Sequence, residues 1–254
     1  GAASAVAAGL AAPAAFVAPA RAQAKKTVVL ASMGPVTGNW DPTSHTTLGQ
    51  LSFESFMFSH LTRSPMQEGK ADVIEPDLAT SWKLIDAHTL EFTLRKGVKF
   101  HDGKEFNAED VKATMQYASQ SSRPAAAWYP GPVDVEIVDP YTVRLHTEKY
   151  GYPASAYWFV ASFLPILSAK DVADPKTLEK RPNGTGPFKY VETNGDKNIL
   201  HANDDYYGGR PKIDEVVYAY VPDSNTRVLG LLNGQYHIIE RLEPEQYQTL
   251  AKNP

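Results

Sequence analysis

The sequence contains no cysteine among its 254 residues, which excludes disulfides, thiolate nucleophiles and cysteine-ligated zinc sites. It also lacks basic blocks, and its net charge is −4, so nucleic acid is not favoured as a partner. No two of the seven histidines have the i, i+4 spacing of a helical zinc site, and no Gly-x-Ser-x-Gly motif is present. We therefore predict no catalytic residue, no metal site and no cofactor.

The apolar content of 43% and the charged content of 21% are typical of a globular protein that is long enough for one large or two ordinary domains. Alternating apolar residues predict two β-hairpins, over residues 82–94 and 133–145. Helices are predicted after Asn107, as an N-cap, and from a cap at Asp223 or Ser224 through Leu232. Because hairpins and βα units are mixed, the predicted fold class is α/β, with α+β mixed sheets.

The first 24 residues are rich in alanine and end in Ala22-Gln23-Ala24, a small-x-small pattern typical of signal-peptidase sites. We interpret residues 1–24 as the remnant of a secretory signal, so the mature protein should begin at Lys25 in the periplasm. A buried alanine-rich helix or a membrane anchor is the alternative. Pro13 and Pro19 argue against a long helix, and few residues are large and apolar enough for a stable span.

The stretch RPNGTGPFKYVE, residues 181–192, is rich in glycine but does not fit a phosphate-binding loop. Such a loop needs Lys-Ser/Thr after its last glycine, whereas Pro187 follows Gly186 and removes a backbone amide. The residues that follow predict a strand rather than a helix. We therefore expect a structural turn, in which Gly184 and Gly186 permit a sharp bend and Pro187 fixes the entry into the strand. An ordinary tight turn is the alternative.

The stretch AAAWYPGP, residues 125–132, places Trp128 and Tyr129 between alanines and prolines. Neither ring follows a helix or strand period that would bury it. Exposed rings on a loop indicate a binding surface, although packing within their own domain is equally open.

Five segments, taken in order and spacing, resemble the extracytoplasmic solute-binding proteins of family 5, which are the dipeptide-, oligopeptide- and nickel-binding receptors of ABC importers. The segments are EPDLATSWKLIDAHTLEFTLRKGVKFHDGKEFNAEDVKATM (75–115), VEIVDPYTVRLHTE (135–148), NGTGPFKYVE (183–192), NDDYYGGRPKIDEVVYAYVPD (203–223) and RVLGLLNGQYHII (227–239).

The resemblance implies a periplasmic-binding-protein clamshell of type II, cluster C-like. Residues 25–44 and 166–254 are expected to form an incomplete domain I, and residues 45–165 an inserted domain II. Members of the family are longer, so domain III is expected to be missing from this chain. The Gly-Thr-Gly-Pro turn is implied to be structural and to lie in the lobe beside the cleft.

The implied function is a monomeric periplasmic receptor that captures a small solute, a peptide or peptide-like molecule, and delivers it to ABC permease subunits in the inner membrane. The chain is therefore expected not to be an enzyme. A ligand-sensing or chaperone-like binding domain and a peptide hydrolase are the alternatives. Opines, sugars, nickel chelates and haem are also bound within the family, so the ligand stays open.

The ligand-binding wall in this chain is expected to combine three elements. They are the loop after the first strand, the helix behind it and the loop of domain II, and they contribute Trp40, His45, Gln50, Trp128 and Tyr129.

Overall fold

A computed structural model describes residues 25–36, 38–45, 47–65, 73–120, 122–128 and 133–252. The predicted signal segment, residues 1–24, lies outside this range. The strands are β1 (Thr27–Ser32), β2 (Thr62–Arg63), β3 (Glu75–Pro76), β4 (Ala79–Asp86), β5 (Thr89–Leu94), β6 (Asp134–Asp139), β7 (Thr142–His146), β8 (Phe188–Asn194), β9 (Lys197–Ala202), β10 (Glu215–Tyr220) and β11 (Ile238–Ile239). The α-helices are α1 (Leu48–Glu54), α2 (Ala108–Ala118), α3 (Tyr157–Phe163), α4 (Ala169–Ala173), α5 (Ser224–Leu232) and α6 (Pro244–Leu250). Among the described residues, none of the helices has the length and apolar character needed to cross a membrane.

A five-stranded sheet has the order β11-β1-β10-β9-β8. Strand β1 lies between β10 and β11 and is parallel to both, whereas β10, β9 and β8 are antiparallel neighbours. The run TVVLAS of β1 becomes fully buried at its end, as expected of an apolar strand inside a parallel sheet. Helix α5 carries the chain from β10 past β1 to β11.

A second sheet is antiparallel, with the order β4-β5-β7-β6, and contains both predicted hairpins. Leu90, Phe92 and Leu94 of β5 are almost fully buried in its core. Helix α2 is capped by Asn107, whose side chain accepts a hydrogen bond from the Glu109 N–H, while the Asp110 carboxylate accepts one from the Asn107 N–H. This capping box confirms the predicted start of the helix.

Each of the two larger sheets has its own hydrophobic core. Around the five-stranded sheet, Phe53, Met57 and Phe58 pack in one cluster with Leu200 and Tyr218. This packing associates α1 and the residues after it with the five-stranded sheet, although the predicted division gave residues 45–165 to domain II. The division into domains stays a prediction, and the packing favours a first boundary after residue 58.

The turn predicted at Gly184 and Gly186 is a junction between the two sheets. The Gly186 N–H donates a hydrogen bond to the Met57 carbonyl over 2.8 Å. The Gly184 carbonyl accepts a hydrogen bond from the His101 N–H, also over 2.8 Å. Neither glycine has a positive φ, so a left-handed backbone does not explain why glycine is needed at these positions. A Cβ atom at either position would instead meet the backbone of Met57 at less than 3.0 Å.

The His101 side chain strengthens this junction. Its Nε2 atom lies 3.1 Å from the Gly186 carbonyl oxygen, so Nε2 carries the donated proton. The Nδ1 atom is buried and has no hydrogen-bond partner in the described part of the chain. Burial lowers the pKa of His101 from 6.5 to about 4, and the nearby positive charge of Lys189 acts in the same direction. The ring is therefore neutral in the folded protein at neutral pH.

We expect His101 to make stability depend on pH. Because the pKa of His101 is lower in the folded than in the unfolded chain, the unfolded chain binds a proton first as the pH falls. The contribution of His101 to the free energy of unfolding is therefore complete above pH 6.5 and is lost between pH 6.5 and about 4. Each pKa unit corresponds to about 1.4 kcal/mol, which gives a loss of about 2–3 kcal/mol by roughly pH 4.5. Urea unfolding between pH 7.5 and 4.5 measures this loss.

The matched variant is His101→Gln, whose amide can still donate to the Gly186 carbonyl but does not titrate. Burial also lowers the pKa of His60, and the resulting pH dependence of stability is the same in the wild type and in the variant. The quantity to compare is the difference between their two pH slopes. Equal slopes would contradict the assignment to His101.

Candidate functional site

The carboxyl ends of β10, β1 and β11 meet at one edge of the five-stranded sheet because the three strands are parallel. This edge is formed by Ser32 at the end of β1 with Met33 after it, Val221 after β10, and Glu240 and Arg241 after β11. In open α/β sheets, ligands bind outside the carboxyl ends of the strands. We therefore take this edge, called the strand-end site below, as the candidate site.

The Glu240 carboxylate lies at the centre of the strand-end site. Its Oε2 atom accepts from Ser32 Oγ over 2.7 Å and from the Met33 N–H over 3.3 Å. Its Oε1 atom is 2.6 Å from the Tyr218 hydroxyl, and burial together with Glu240 raises the pKa of that tyrosine. The same hydroxyl lies 3.1 Å from the Gly49 carbonyl oxygen. Glu240 thus joins strands β1, β10 and β11 to the first turn of α1.

A second carboxylate, Glu54, brings two predicted site residues together. Its Oε1 atom lies 2.6 Å from His45 Nδ1 and accepts from Gln50 Nε2 over 3.1 Å. The Glu54 side chain is buried, and Oε2 has no hydrogen-bond partner among the described residues. Sequence reasoning missed Glu54, although its i, i+4 spacing from Gln50 on one helix face was a signal that could have found it.

The structure does not place Trp40 on an open surface. The residue is 4% exposed, its ring centroid is 4.5 Å from that of Tyr190, and it lies 6.0 Å from that of Phe53. The backbone N–H of Trp40 donates to the Leu178 carbonyl over 3.0 Å. Trp40 therefore packs as a core residue among the described residues, which does not favour the prediction that it lines a binding wall; its role in binding stays a prediction. A residue without periodic neighbours in sequence can still be buried by distant elements.

Trp128 is the last residue of a 3-10 turn, Pro124–Trp128. The turn is anchored beside the loop that carries His45, because the Arg123 guanidinium pairs with Asp41 and lies 3.7 Å from the Tyr117 ring centroid. The Trp128 side chain and all of Tyr129 lie outside the described part of the chain. Their roles in binding remain predictions.

A buried arginine fixes the geometry of the strand-end site. Arg227, on α5, is 3% exposed and donates to the Val221 carbonyl over 2.7 Å and to the Pro222 carbonyl over 2.8 Å. It also donates to the carbonyls of Glu240 and Arg241, over 3.1 and 3.3 Å. One guanidinium therefore holds the carboxyl ends of β10 and β11 at a constant spacing.

A separate apolar groove of about 860 Å³ lies between α1, α3 and the residues around β2, with Phe58 and Phe163 in its wall. None of the predicted ligand-binding residues lines it. The strand-end site, in contrast, has the Glu240 carboxylate and the guanidinium groups of Arg227 and Arg241 at the ends of parallel strands. We therefore favour the strand-end site for a polar ligand. Within the described ranges, no three His, Cys, Asp or Glu side chains are grouped so as to hold a metal ion.

Comparison with protein families gives one match over most of the chain. Residues 73–254 match the family described as bacterial extracellular solute-binding proteins, family 5 middle. The chain is 35% identical over 204 residues to heme-binding protein A of Haemophilus influenzae, covering 68% of this chain and 36% of that protein. It is 33% identical over 219 residues to the oligopeptide-binding protein AppA of Bacillus subtilis, covering 78% and 38%.

Solved structures agree in fold. The structure of Bacillus subtilis AppA in complex with a nonapeptide superposes with a TM-score of 0.76 at 28% identity, covering 89% of this chain and 46% of that one. The binding protein MoaA from A. tumefaciens R10, in complex with mannopinic acid, superposes with a TM-score of 0.80 at 26% identity, covering 91% and 48%. The chain thus spans about half of these structures and less than two fifths of the curated relatives cited above.

Proposed function

The chain belongs to the bacterial extracellular solute-binding proteins of family 5, and on that premise we propose that it is part of a receptor that captures a small solute for an ABC importer. The observation that carries the proposal is the strand-end site, where three parallel strands present Ser32, Glu240 and Arg241 beside α1. A ligand there would lie at the position that open α/β sheets use for binding.

The proposed solute is a peptide or a peptide-like molecule. Strand β11 is the outermost strand of the five-stranded sheet and pairs only with β1 among the described strands. An extended peptide backbone can add to such an edge, with main-chain hydrogen bonds that do not depend on its side chains. The names of relatives, which include oligopeptide-binding and glutathione-binding proteins, support this class.

Capture is proposed to involve two states. A second lobe, supplied by the rest of the protein, would close over the strand-end site, and contacts made only in the closed state would shift the population toward closure. The closed receptor would then deliver its solute to the permease subunits. In this scheme the receptor is a monomer and carries out no chemical step.

The proposed location is the periplasm, with residues 1–24 as a signal that is removed before Lys25. Amino-terminal sequencing of the exported protein would test this. A mature protein that retains residues 1–24 would contradict it.

The proposed function is tested on the full-length gene product that carries this chain. Native mass spectrometry of the freshly purified protein is expected to show one bound small molecule. Calorimetry after removal of that molecule, with L-alanyl-L-alanine and glutathione as probes, is expected to show binding of one equivalent.

Four outcomes separate the alternatives. Recovery of the intact probe supports a receptor, whereas release of free amino acids would establish a hydrolase instead. Unchanged peptide uptake after deletion of the gene would favour a sensing or chaperone-like domain. Absence of any bound small molecule and of binding to both probes would overturn the proposal.

A further inference from the structure

Arg241 has an unusual backbone conformation. Its φ is 53°, and no other non-glycine residue in the described ranges has a positive φ. Residues other than glycine enter this left-handed region at an energetic cost, because Cβ crowds the backbone. Such a residue persists where its surroundings determine its conformation, and residues of this kind cluster at functional sites. Arg241 lies directly after Glu240, at the strand-end site.

Contacts on both sides of Arg241 impose this conformation. The N–H of Glu240, the residue before Arg241, donates to the Ala31 carbonyl over 3.0 Å, which fixes Glu240 to β1. The buried Arg227 guanidinium holds the Glu240 and Arg241 carbonyls from the side of α5. The backbone of Arg241 is therefore set by α5 and β1, and the preference of its own side chain has no part in it.

The Arg241 side chain is exposed and reaches across the end of β1. Its Nη1 atom lies 4.0 Å from Met33 Sδ, and no carboxylate in the described part of the chain is within ion-pair distance of it. The adjacent Glu240 carboxylate already accepts from Ser32, from the Met33 N–H and from Tyr218. The N–H donors of Arg241 are thus available to a ligand at the strand-end site.

We propose that Arg241 determines specificity at the strand-end site by binding a carboxylate group of the solute. A guanidinium presents a planar pair of N–H donors that matches the two oxygens of a carboxylate, and such charged pairs are among the stronger hydrogen bonds in proteins. This inference rests on the proposed function and narrows it to solutes that carry a carboxylate. Because the surrounding contacts already set this backbone, glycine or asparagine would occupy the same conformation at lower cost, and a binding role accounts for an arginine at the position.

The test compares two probes and three variants in the full-length gene product. The probes are L-alanyl-L-alanine and L-alanyl-L-alanine amide, which differ only in the carboxylate. The variants are Arg241→Asn, which tolerates a positive φ but removes the charge, Arg241→Gly, which also relieves the strain, and Arg241→Lys, which keeps the charge but not the planar pair of donors.

For the wild type, calorimetry is expected to show that the free dipeptide binds at least tenfold more tightly than the amide. Arg241→Asn should weaken dipeptide binding by about 10- to 100-fold and remove the difference between the probes, and Arg241→Lys should retain part of it. Arg241→Gly should bind like the asparagine variant but unfold at a temperature about 2–4 °C higher. A loss of function combined with a gain of stability would separate a binding role from a structural one.

The outcomes distinguish this inference from the function on which it rests. If the wild type and Arg241→Asn bind both probes equally well, the protein binds peptides but Arg241 does not read the carboxylate. If the variants lose stability and bind both probes more weakly by the same factor, Arg241 is structural and the inference is wrong. If the wild type binds neither probe, the proposed peptide function fails and the inference fails with it.

Discussion

Replacing Gly184 with alanine is expected to destabilise the folded chain by about 3 kcal/mol or more. An ideal Cβ at this position would lie 2.0 Å from the Met57 carbonyl oxygen and 2.8 Å from Phe58 Cδ1. The obstacle is backbone, and it cannot move freely because the Met57 carbonyl accepts a hydrogen bond from the Gly186 N–H over 2.8 Å. Forcing atoms into a packed interior costs about 1–3 kcal/mol, and more where neighbours cannot shift.

Urea unfolding of the purified chain measures this effect, with Gly38→Ala as the matched control. No atom lies within 4 Å of a Cβ built at Gly38, and its φ is not in the left-handed region, so this change should be nearly neutral. Gly186→Val should behave like Gly184→Ala, because its Cβ would lie 2.5 Å from the Met57 carbonyl carbon. A Gly184→Ala protein as stable as Gly38→Ala would refute the close approach.

Replacing Trp40 with alanine is expected to lower the free energy of unfolding by about 3–5 kcal/mol. The ring is buried between Phe53 and Tyr190, so its removal leaves a cavity that fixed neighbours cannot fill. The milder variant Trp40→Phe keeps an aromatic ring and should cost less. Thermal and urea unfolding of both variants provide the measurement.

The Trp40 variants also separate packing from ligand contact. A folded Trp40→Phe protein should bind solute with the wild-type affinity, since the ring is buried against Phe53 and Tyr190. A Trp40→Ala protein of normal stability that had lost solute binding would restore the original expectation of a wall residue and show the core assignment to be mistaken.

The sequence predicted those elements that depend on near neighbours. The hairpins of β4-β5 and β6-β7 and the cap at Asn107 are all present. Each depends on a local pattern of alternation or capping within a few residues. The predicted fold class and family are also confirmed, by the superposed structures and by the family match over residues 73–254.

The candidate site was harder to predict because its parts are distant in sequence. Ser32 and Glu240 are 208 residues apart, and no local pattern connects them. His45 and Gln50 were proposed as ligand contacts, but their shared partner Glu54 was missed. The need for glycine at position 184 comes from Met57, which lies far away in the chain. Burial of Trp40 has the same origin, in elements that meet only in the folded molecule.

The parallel pairing of β1 with β10 has a consequence for how the chain reaches its folded state. Thr27 pairs with Glu215, 188 residues later, so β1 has no parallel partner on that side until most of the chain exists. At about 5–20 residues per second, a ribosome needs roughly 10–40 s to supply it. The antiparallel sheet between them has its own core and mostly short loops, and such local topologies form first. The five-stranded sheet is therefore completed late. During that interval a newly made chain presents an unpaired, apolar β1.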